Sequence, residues 1–363
     1  MPRRLTLVIH SLNGGGAERT LAAMASRWAQ MGYAVTLITL DTAKNDRYPV
    51  AADVHRVGLD LLSESRNKLE GLWSNVSRVR QLRRAILESR GDQVISFTEK
   101  MNILTLLACP RNRVVVCERV DPRHHPIGRL WELLRRCVYP RCAALVVQTE
   151  AVRDYMHRVV KRRPIHVIPN SIVPTDSSSH AERSIVAIGR LVPQKGFDLL
   201  VKAFSSVTKR HPAWRLNIYG EGPDRPSLEA LILDLTLNDV VNLSGWTTEP
   251  LQAISSSKIF VLSSRYEGFP NALLEAMAAG LAVVSFDCES GPREIIRDEV
   301  DGLLVPAQDV AKLSAALDRL MSNDEDRCRI ASRAPEVCER FSETKFFDAW
   351  ERVFDAQTNP EQG

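Results

Sequence analysis

Two doubly wound α/β domains in tandem are the fold this chain predicts, and three observations carry the reading. Short apolar runs of strand length alternate with amphipathic segments of helix length, the pattern of parallel sheets covered on both faces. The alternation occurs twice, with six such runs in each half. The halves meet at Pro169–Ala181, PNSIVPTDSSSHA, which is rich in proline and serine and has no periodicity. The length of 363 residues agrees, since a domain takes roughly 100–200.

The first half reads as strands at Leu5–Ile9, Val35–Leu40, Val94–Phe97, Val114–Cys117, Leu145–Val147 and His166–Ile168, with the first helix at Ala17–Met31. The second half reads as strands at Ser184–Ile188, Arg215–Tyr219, Val240–Leu243, Ile259–Leu262, Ala282–Phe286 and Gly302–Val305. Helices are expected at Ala272–Gly280 and at Phe341–Ala356. The latter puts Phe346, Phe347, Trp350, Val353 and Phe354 near one face, able to pack on either domain. In Ile127–Val138 the apolar positions Ile127, Trp131, Leu134 and Val138 share a face, with Arg129 and Arg136 opposite. That stripe either faces a core or touches membrane headgroups.

Composition narrows the class. Hydrophobic residues are 44% and charged residues 25%, near the globular average, which argues against disorder and fibrous repeats. The seven cysteines (Cys109, Cys117, Cys137, Cys142, Cys288, Cys328 and Cys338) form no CxxC pair or Cys/His cluster. Their odd number and scatter fit a reducing cytoplasm. The start, MPRRLTLVIHSLNGGG, has too short an apolar run for a signal peptide and reads as a strand. The longest apolar stretch, Ala276–Phe286, falls well under the ~20 residues of a membrane span, so a spanning protein is not expected. The net charge of +4 conceals an asymmetry. Residues 1–180 carry 28 Lys/Arg and 16 Asp/Glu, a net +12, and residues 181–363 carry 20 and 28, a net −8. A basic half facing nucleic acid or an anionic membrane is one explanation, and two merely different surfaces another.

Ligands of doubly wound sheets sit beyond the carboxyl ends of the strands, so the strand-to-helix loops hold the candidates. After the first strand, Ser11-Leu12-Asn13-Gly14-Gly15-Gly16-Ala17-Glu18-Arg19 lets a ligand approach the backbone at a helix start that favours an anion. It lacks the third glycine of a dinucleotide fingerprint, although Asp41 keeps a nicotinamide reading open. A flexible turn would look the same. After Ser184–Ile188, Gly189-Arg190-Leu191-Val192-Pro193-Gln194-Lys195-Gly196 offers a planar guanidinium and an ammonium beside glycines, a set suited to diphosphate or to a solvated turn.

The third loop is the richest. In Arg265-Tyr266-Glu267-Gly268-Phe269-Pro270-Asn271-Ala272-Leu273-Leu274-Glu275, Pro270 marks a helix start, and the amides of Asn271, Ala272 and Leu273 would point outward. Glu267 and Glu275 can accept hydrogen bonds from sugar or ribose hydroxyls, while a helix dipole alone would also favour them there. A glycosidase acid/base pair is a further reading of the same carboxylates. Gly291-Pro292-Arg293-Glu294 opens another helix, and Tyr219-Gly220-Glu221-Gly222-Pro223 and Ser244-Gly245-Trp246 wall a base or merely turn the chain. Asp324-Glu325-Asp326 follows Ser322-Asn323 as a helix cap, and no other carboxylates cluster, so no catalytic metal and no cofactor are expected. In the basic half, His10 ends the first strand and Glu118-Arg119-Val120-Asp121-Pro122-Arg123-His124-His125 follows the fourth. Lys161-Arg162-Arg163 and Arg78, Arg80, Arg83 and Arg84 add cationic surface.

Taken together, Gly189-Arg190-Leu191 with Gln194-Lys195-Gly196, and Glu267 and Glu275 in E-x7-E spacing within EGFPNALLEAMA, resemble the retaining glycosyltransferases of sequence family 4. The resemblance extends through NGGGAER, VIPNSI at the hinge, YGEGP and GPREII, nearly the whole chain. It implies the GT-B fold: an α/β protein of two Rossmann-like, doubly wound parallel-sheet domains facing across a cleft. Residues 1–168 would bind the acceptor, with a C-terminal helix at about 341–357 crossing back, and residues 169–340 would bind a nucleotide-sugar. By that pattern Arg190 and Lys195 contact the donor diphosphate, Glu275 the ribose, and Glu267 the transferred sugar near its 3-hydroxyl. Gly268, Phe269, Asn271, Ala272 and Leu273 complete the donor site, and Gly15 and Gly16 approach the diphosphate.

Many relatives place a histidine after the fourth strand, where this chain has Cys117-Glu118-Arg119. Glu118 is taken as the substitute, joining Glu267, Arg190 and Lys195 as catalytic residues, with Glu18, Arg119 and His124 toward the acceptor. The Glu-Arg-x-Asp-Pro form resembles members that extend polyprenyl-diphosphate-linked oligosaccharides or surface polysaccharides, including N-acetylgalactosamine transferases. The expectation is a metal-independent, retaining transfer of a hexose or N-acetylhexosamine from a UDP-sugar. It includes an anionic membrane partner at the inner face of the cell membrane, no nucleic acid, and a monomer. A nucleotide-sugar epimerase of the same fold, a GDP-mannose-using transferase and a non-enzymatic binder are the alternatives.

Overall fold

A computed structural model describes residues 3–62, 68–110, 113–175 and 182–358. Asp176–Ala181, the serine-rich part of the expected join, lies outside the described residues. The chain divides into two compact units, residues 1–169 with 348–363, and residues 170–347.

The first unit runs β1 (Arg4–Ile9), α1 (Gly16–Gln30), β2 (Ala34–Thr39), β3 (His55–Gly58), α2 (Lys68–Ser89), β4 (Gln93–Phe97), α3 (Glu99–Ala108), β5 (Val114–Cys117), α4 (Arg129–Val138), β6 (Ala144–Val147), α5 (Glu150–Val160) and β7 (Ile165–Val167). The seven strands are parallel in the order β3-β2-β1-β4-β5-β6-β7, with Leu7 opposite Leu37 on one side and Ile95 on the other. Strands buried on both faces are written mainly in apolar residues, and β1, β2, β4, β5 and β6 are, with small polar side chains such as Thr6, Thr36 and Ser96 buried among them. β3 is the strand that the sequence did not reveal. It lies at the sheet edge, half-buried, and its HRVG has no apolar run to announce it.

In α4 the stripe Ile127, Trp131, Leu134 and Val138 packs into this unit's core, so the reading that those residues touch a membrane is corrected. The side turned outward carries other residues.

The second unit runs β8 (Glu182–Ile188), α6 (Phe197–Ser205), β9 (Arg215–Tyr219), α7 (Arg225–Asp234), β10 (Val241–Gly245), α8 (Pro250–Ser255), β11 (Ser257–Leu262), α9 (Asn271–Ala278), β12 (Ala282–Asp287), α10 (Pro292–Ile295), β13 (Leu303–Pro306), α11 (Val310–Ser322), α12 (Asp324–Arg333), α13 (Val337–Arg340) and α14 (Glu343–Thr358). Its six parallel strands follow β10-β9-β8-β11-β12-β13. The order reverses between β8 and β11, where Ile185 pairs Ile259, and such a switch point opens a crevice at the carboxyl ends. Asn323 caps α12 by accepting from the Asp326 amide at 3.0 Å, and Asp324 and Asp326 are held by Arg327 and by Arg319 and Arg329. The boundary between the units falls inside α14, after Phe347. Beyond it, in the first unit, Trp350 and Phe354 are fully buried against Trp28 of α1, with ring centroids 5.6 and 5.7 Å away.

Candidate active site

The loops that follow β8 and β11 flank the switch point of the second sheet, and a set of short bonds locks them together. The β8 loop turns through a single 3-10 turn at Pro193–Lys195 and leaves through Gly196 at φ +62°. A Cβ at Gly196 would stand 2.1 Å from the Ser263 carbonyl oxygen, so both the left-handed backbone and the close approach require glycine. Ser263 Oγ donates to the Lys195 carbonyl at 2.9 Å, the Arg265 amide donates to the Gln194 carbonyl at 2.8 Å, and Gln194 Nε2 donates to the Tyr266 carbonyl at 3.0 Å. Arg265 then grips Asp198 of α6 through both nitrogens, at 2.9 and 2.8 Å. Burial works to raise the Asp198 carboxyl, but the Arg265 fork holds it below the usual carboxylate range.

This scaffold places Lys195 Nζ 2.6 Å from Glu267 Oε1, which also accepts from Ser264 Oγ at 2.6 Å. The lysine side chain is 19% exposed and the glutamate 7%, so the ammonium sits at the surface of the crevice and the carboxylate under it. Behind them Cys288 donates to the Ser264 carbonyl, and burial, with Glu267 nearby, pushes its thiol up to about 12, leaving it inert. Arg190 stands exposed at the start of the loop. A guanidinium and an ammonium on a fixed frame, with a carboxylate between one of them and the core, can stabilise charge on an anion and still accept from a hydroxyl.

The third loop behaves as two layers. α9 starts at Asn271 after an extended Pro270, and Glu275 lies buried in its second turn. The Leu273 amide, expected to point outward, donates to the Pro270 carbonyl at 3.2 Å, which removes it from the outward set. The side chains of Phe269 and Leu273 are also inward: Phe269 packs on Phe341 at 5.3 Å, and Leu273 lies wholly in the core. Gly268 presents its carbonyl to Ser290 Oγ at 3.3 Å. Ala272 and Asn271 are half-buried. In the next loop Arg293 is committed to Asp287 through two bonds of 2.9 Å, and α10 is only one turn long. Glu221 is taken by Arg225, while Trp246 stays exposed.

In the first unit, Gly15 precedes α1 at φ +153° and its amide donates to Tyr48 Oη at 3.3 Å; Gly16 is the first helical residue. The Glu18 carboxylate folds back over Gly15, and a Cβ there would lie 2.3 Å from Glu18 Oε2. Glu18 is also 3.2 Å from His10 Nε2. The sequence pointed to His10 and to Glu18 separately, but a pair made across strand, loop and helix has no periodic signature. Gly15→Ala is therefore expected to displace Glu18 or the loop. Loss of the His10–Glu18 contact in the variant's structure would verify this, and an unmoved carboxylate would refute it.

Glu118, expected from the sequence as a catalytic residue, lies in a buried polar cluster. Its side chain is wholly buried, accepts from Tyr139 Oη at 2.5 Å and lies 3.9 Å from Arg135, while Tyr139 Oη in turn accepts from Asn102 Nδ2 at 3.2 Å. Burial, with the charge of Glu99 nearby, pushes its carboxyl up to about 8 against the pull of Arg135. A folded value above the unfolded one near 4.5 means its contribution to stability is full below about pH 4.5 and lost as pH rises to about 8. Glu118→Gln should flatten the unfolding free energy over that window, measured by urea titration at several pH values. An unchanged slope would reject the assignment.

Arg119 lies over the Phe97 ring at 4.9 Å, and burial lowers its guanidinium to about 10. His124 is exposed at the far end of this loop, whose turn is fixed by the fully buried Asp121 accepting from the Arg123 amide and guanidinium at 2.6–3.1 Å. Asp121, named in the sequence only as part of this ionisable run, is thus a positioning residue for the loop. Among the described residues no group of three or more His, Cys, Asp or Glu could hold a metal ion, and no helix is long and apolar enough to cross a membrane.

Comparison with known proteins gives this arrangement its kin. Residues 14–176 match the model described as Glycosyltransferase Family 4, and residues 175–337 match Glycosyl transferases group 1. An exopolysaccharide phosphotransferase of Streptomyces coelicolor is 34% identical over 83% of this chain, although the chain spans only 32% of that protein. A Campylobacter jejuni protein is 26% identical over 96% of this chain and 97% of its own length. It is named GalNAc-alpha-(1->4)-GalNAc-alpha-(1->3)-diNAcBac-PP-undecaprenol alpha-1,4-N-acetyl-D-galactosaminyltransferase. Among solved structures, sucrose-phosphate synthase of Thermosynechococcus elongatus superposes with a TM-score of 0.82 at 18% identity, covering 98% of this chain and all of that one. TarM of S. aureus, solved with fondaparinux, alpha-GlcNAc-glycerol and UDP, gives 0.79 at 16%, covering 97% and 99%. With the two family domains laid one after the other over residues 14–337, two parallel sheets, and superposition on these structures over nearly the whole chain, the chain belongs to the two-domain glycosyltransferases of the GT-B fold.

Proposed function

We propose that the protein moves a hexose or N-acetylhexosamine from a UDP-sugar to a lipid-diphosphate-linked saccharide or polysaccharide precursor, with retention of anomeric configuration and without a metal ion. One observation carries the reading: the Lys195–Glu267 pair at the switch point, beside the exposed Arg190. In this scheme Lys195 and Arg190 take the donor diphosphate. Glu267 accepts from a hydroxyl of the transferred sugar, and Glu275 from the ribose. Gly268, Asn271 and Ala272 line the donor through the backbone. Glu18, Arg119 and His124 serve the acceptor.

The bond between the anomeric carbon and the diphosphate oxygen breaks as the acceptor hydroxyl oxygen attacks the same face, and the acceptor proton passes to the departing diphosphate. The negative charge that grows on the leaving group meets cations already fixed in place, so neither a metal nor another cofactor is invoked. The named activity of the Campylobacter relative, on an undecaprenyl-diphosphate-linked sugar, supports the acceptor class, and a Staphylococcus aureus poly(ribitol-phosphate) alpha-N-acetylglucosaminyltransferase, 30% identical over 58% of this chain, supports the sugar class. The net +12 of residues 1–180 supports an acceptor carried on an anionic membrane; in this reading the protein works as a monomer at the inner face, without nucleic acid.

The deciding experiment incubates the protein with a panel of UDP- and GDP-sugars and polyprenyl-diphosphate-linked saccharides, and reads products by mass spectrometry. A UDP-sugar product that needs the acceptor is expected. Product from GDP-mannose alone would overturn the donor assignment, and conversion of the donor without acceptor would mark an epimerase.

A further inference from the structure

Helix α4 presents to solvent a face unlike its core-facing stripe. At helical spacing Arg129, Leu130, Leu133 and Arg136 fall on one side, and all four are exposed, Leu130 at 65% and Leu133 at 59%. Single exposed leucines are ordinary, but these lie within one turn of each other with an arginine at either end. Among the described residues neither Arg129 nor Arg136 has an ion pair. The other charges of the helix, Glu132 and Arg135, are taken up by each other at 2.6 Å. Past the helix end, Arg163 Nε donates to the Pro140 carbonyl at 2.8 Å, which brings the exposed Lys161 and Arg162 beside the same region. The result is a pair of leucines rimmed by cations, the neighbouring carboxylate of Glu132 being half-buried and bonded to Arg135.

We propose that this face of α4 docks the protein on an anionic bilayer, the leucines entering the boundary between headgroups and acyl chains and the arginines meeting lipid phosphates. A protein partner fits less well. Two leucines fall far short of the ~800 Å² per partner of a stable interface, and a rim of one sign matches a phosphate-studded surface. The position also serves the acceptor. α4 begins just beyond the loop that carries Arg119 and His124 at the carboxyl edge of the first sheet, so a helix lying on the bilayer holds that loop close to its plane. The proposal deepens the membrane part of the reading above, but its test reads binding rather than sugar transfer, so either can fail alone.

The test is co-sedimentation of the full chain with vesicles of phosphatidylcholine containing 30–40% phosphatidylglycerol (about the anionic load needed for a clear signal), against pure phosphatidylcholine. Binding to the anionic vesicles only is expected. The partition coefficient should drop at least ~10-fold in Leu130→Ser/Leu133→Ser and about fivefold for each of Arg129→Gln and Arg136→Gln, and binding should weaken with added salt. All four side chains are exposed, so circular dichroism and melting temperature should stay unchanged and separate lost docking from lost folding. The double leucine variant sedimenting like the parent would overturn the proposal. So would a parent that ignores the vesicles but forms concentration-dependent dimers which the leucine variant abolishes.

Discussion

Lys195→Ala is expected to lower kcat/KM for sugar transfer by about 10²–10³-fold, the usual loss when one fixed donor to a developing negative charge is removed. The ammonium is held by Glu267 at 2.6 Å and by a loop whose carbonyls and amides are bonded across to the β11 loop, so its position is fixed before any ligand arrives. The fold should survive. Glu267 keeps its Ser264 bond, and an underpaired carboxylate costs about 1–3 kcal/mol against a typical total of roughly 5–15. Glu267→Ala should fall as far. The double variant should be hardly worse than either single one, because the two groups act as a unit. Steady-state kinetics with denaturant titrations checks each point, and near-normal turnover in either single variant would reject the site.

Trp350→Ala is expected to be the most damaging change to stability, at about 3–5 kcal/mol. The indole is fully buried edge-on to Trp28 and 5.9 Å from Phe354, so its removal opens a large cavity among packed rings. Arg3, bonded to Glu351 at 2.9 Å, ties β1 to the same helix, so the loss falls on the first unit. Trp350→Phe should recover part of it. Denaturant unfolding followed by tryptophan fluorescence checks the size, and a drop under about 1 kcal/mol would show that the aromatic cluster is not what secures the helix.

The sequence made the sheets legible because a strand buried on both faces must be written in apolar residues. All six runs read in each half lie on strands; β3, with only Val57 as a strand-like core residue at the edge, could not be seen this way. The loops of the candidate site were legible by place, since chemistry collects at carboxyl ends of parallel strands. What side chains do there was less so. Phe269 and Leu273 belong to the core, and Glu118 looks the same in sequence whether it faces a crevice or Tyr139. In α4 the apolar periodicity found the core stripe and missed Leu130 and Leu133, which depart from it. The His10–Glu18 pair depends on tertiary placement that no spacing encodes.

The late position of α14 in the chain also sets an order of events at birth. A nascent first unit has its whole parallel sheet long before Trp350 and Phe354 exist, so the surface around Trp28 must wait, uncovered, while the second unit is translated. At ~5–20 residues per second that wait is on the order of ten to forty seconds, time in which a chaperone or the ribosome surface is the natural shelter. The amino-terminal half is then completed by a segment made after the second unit.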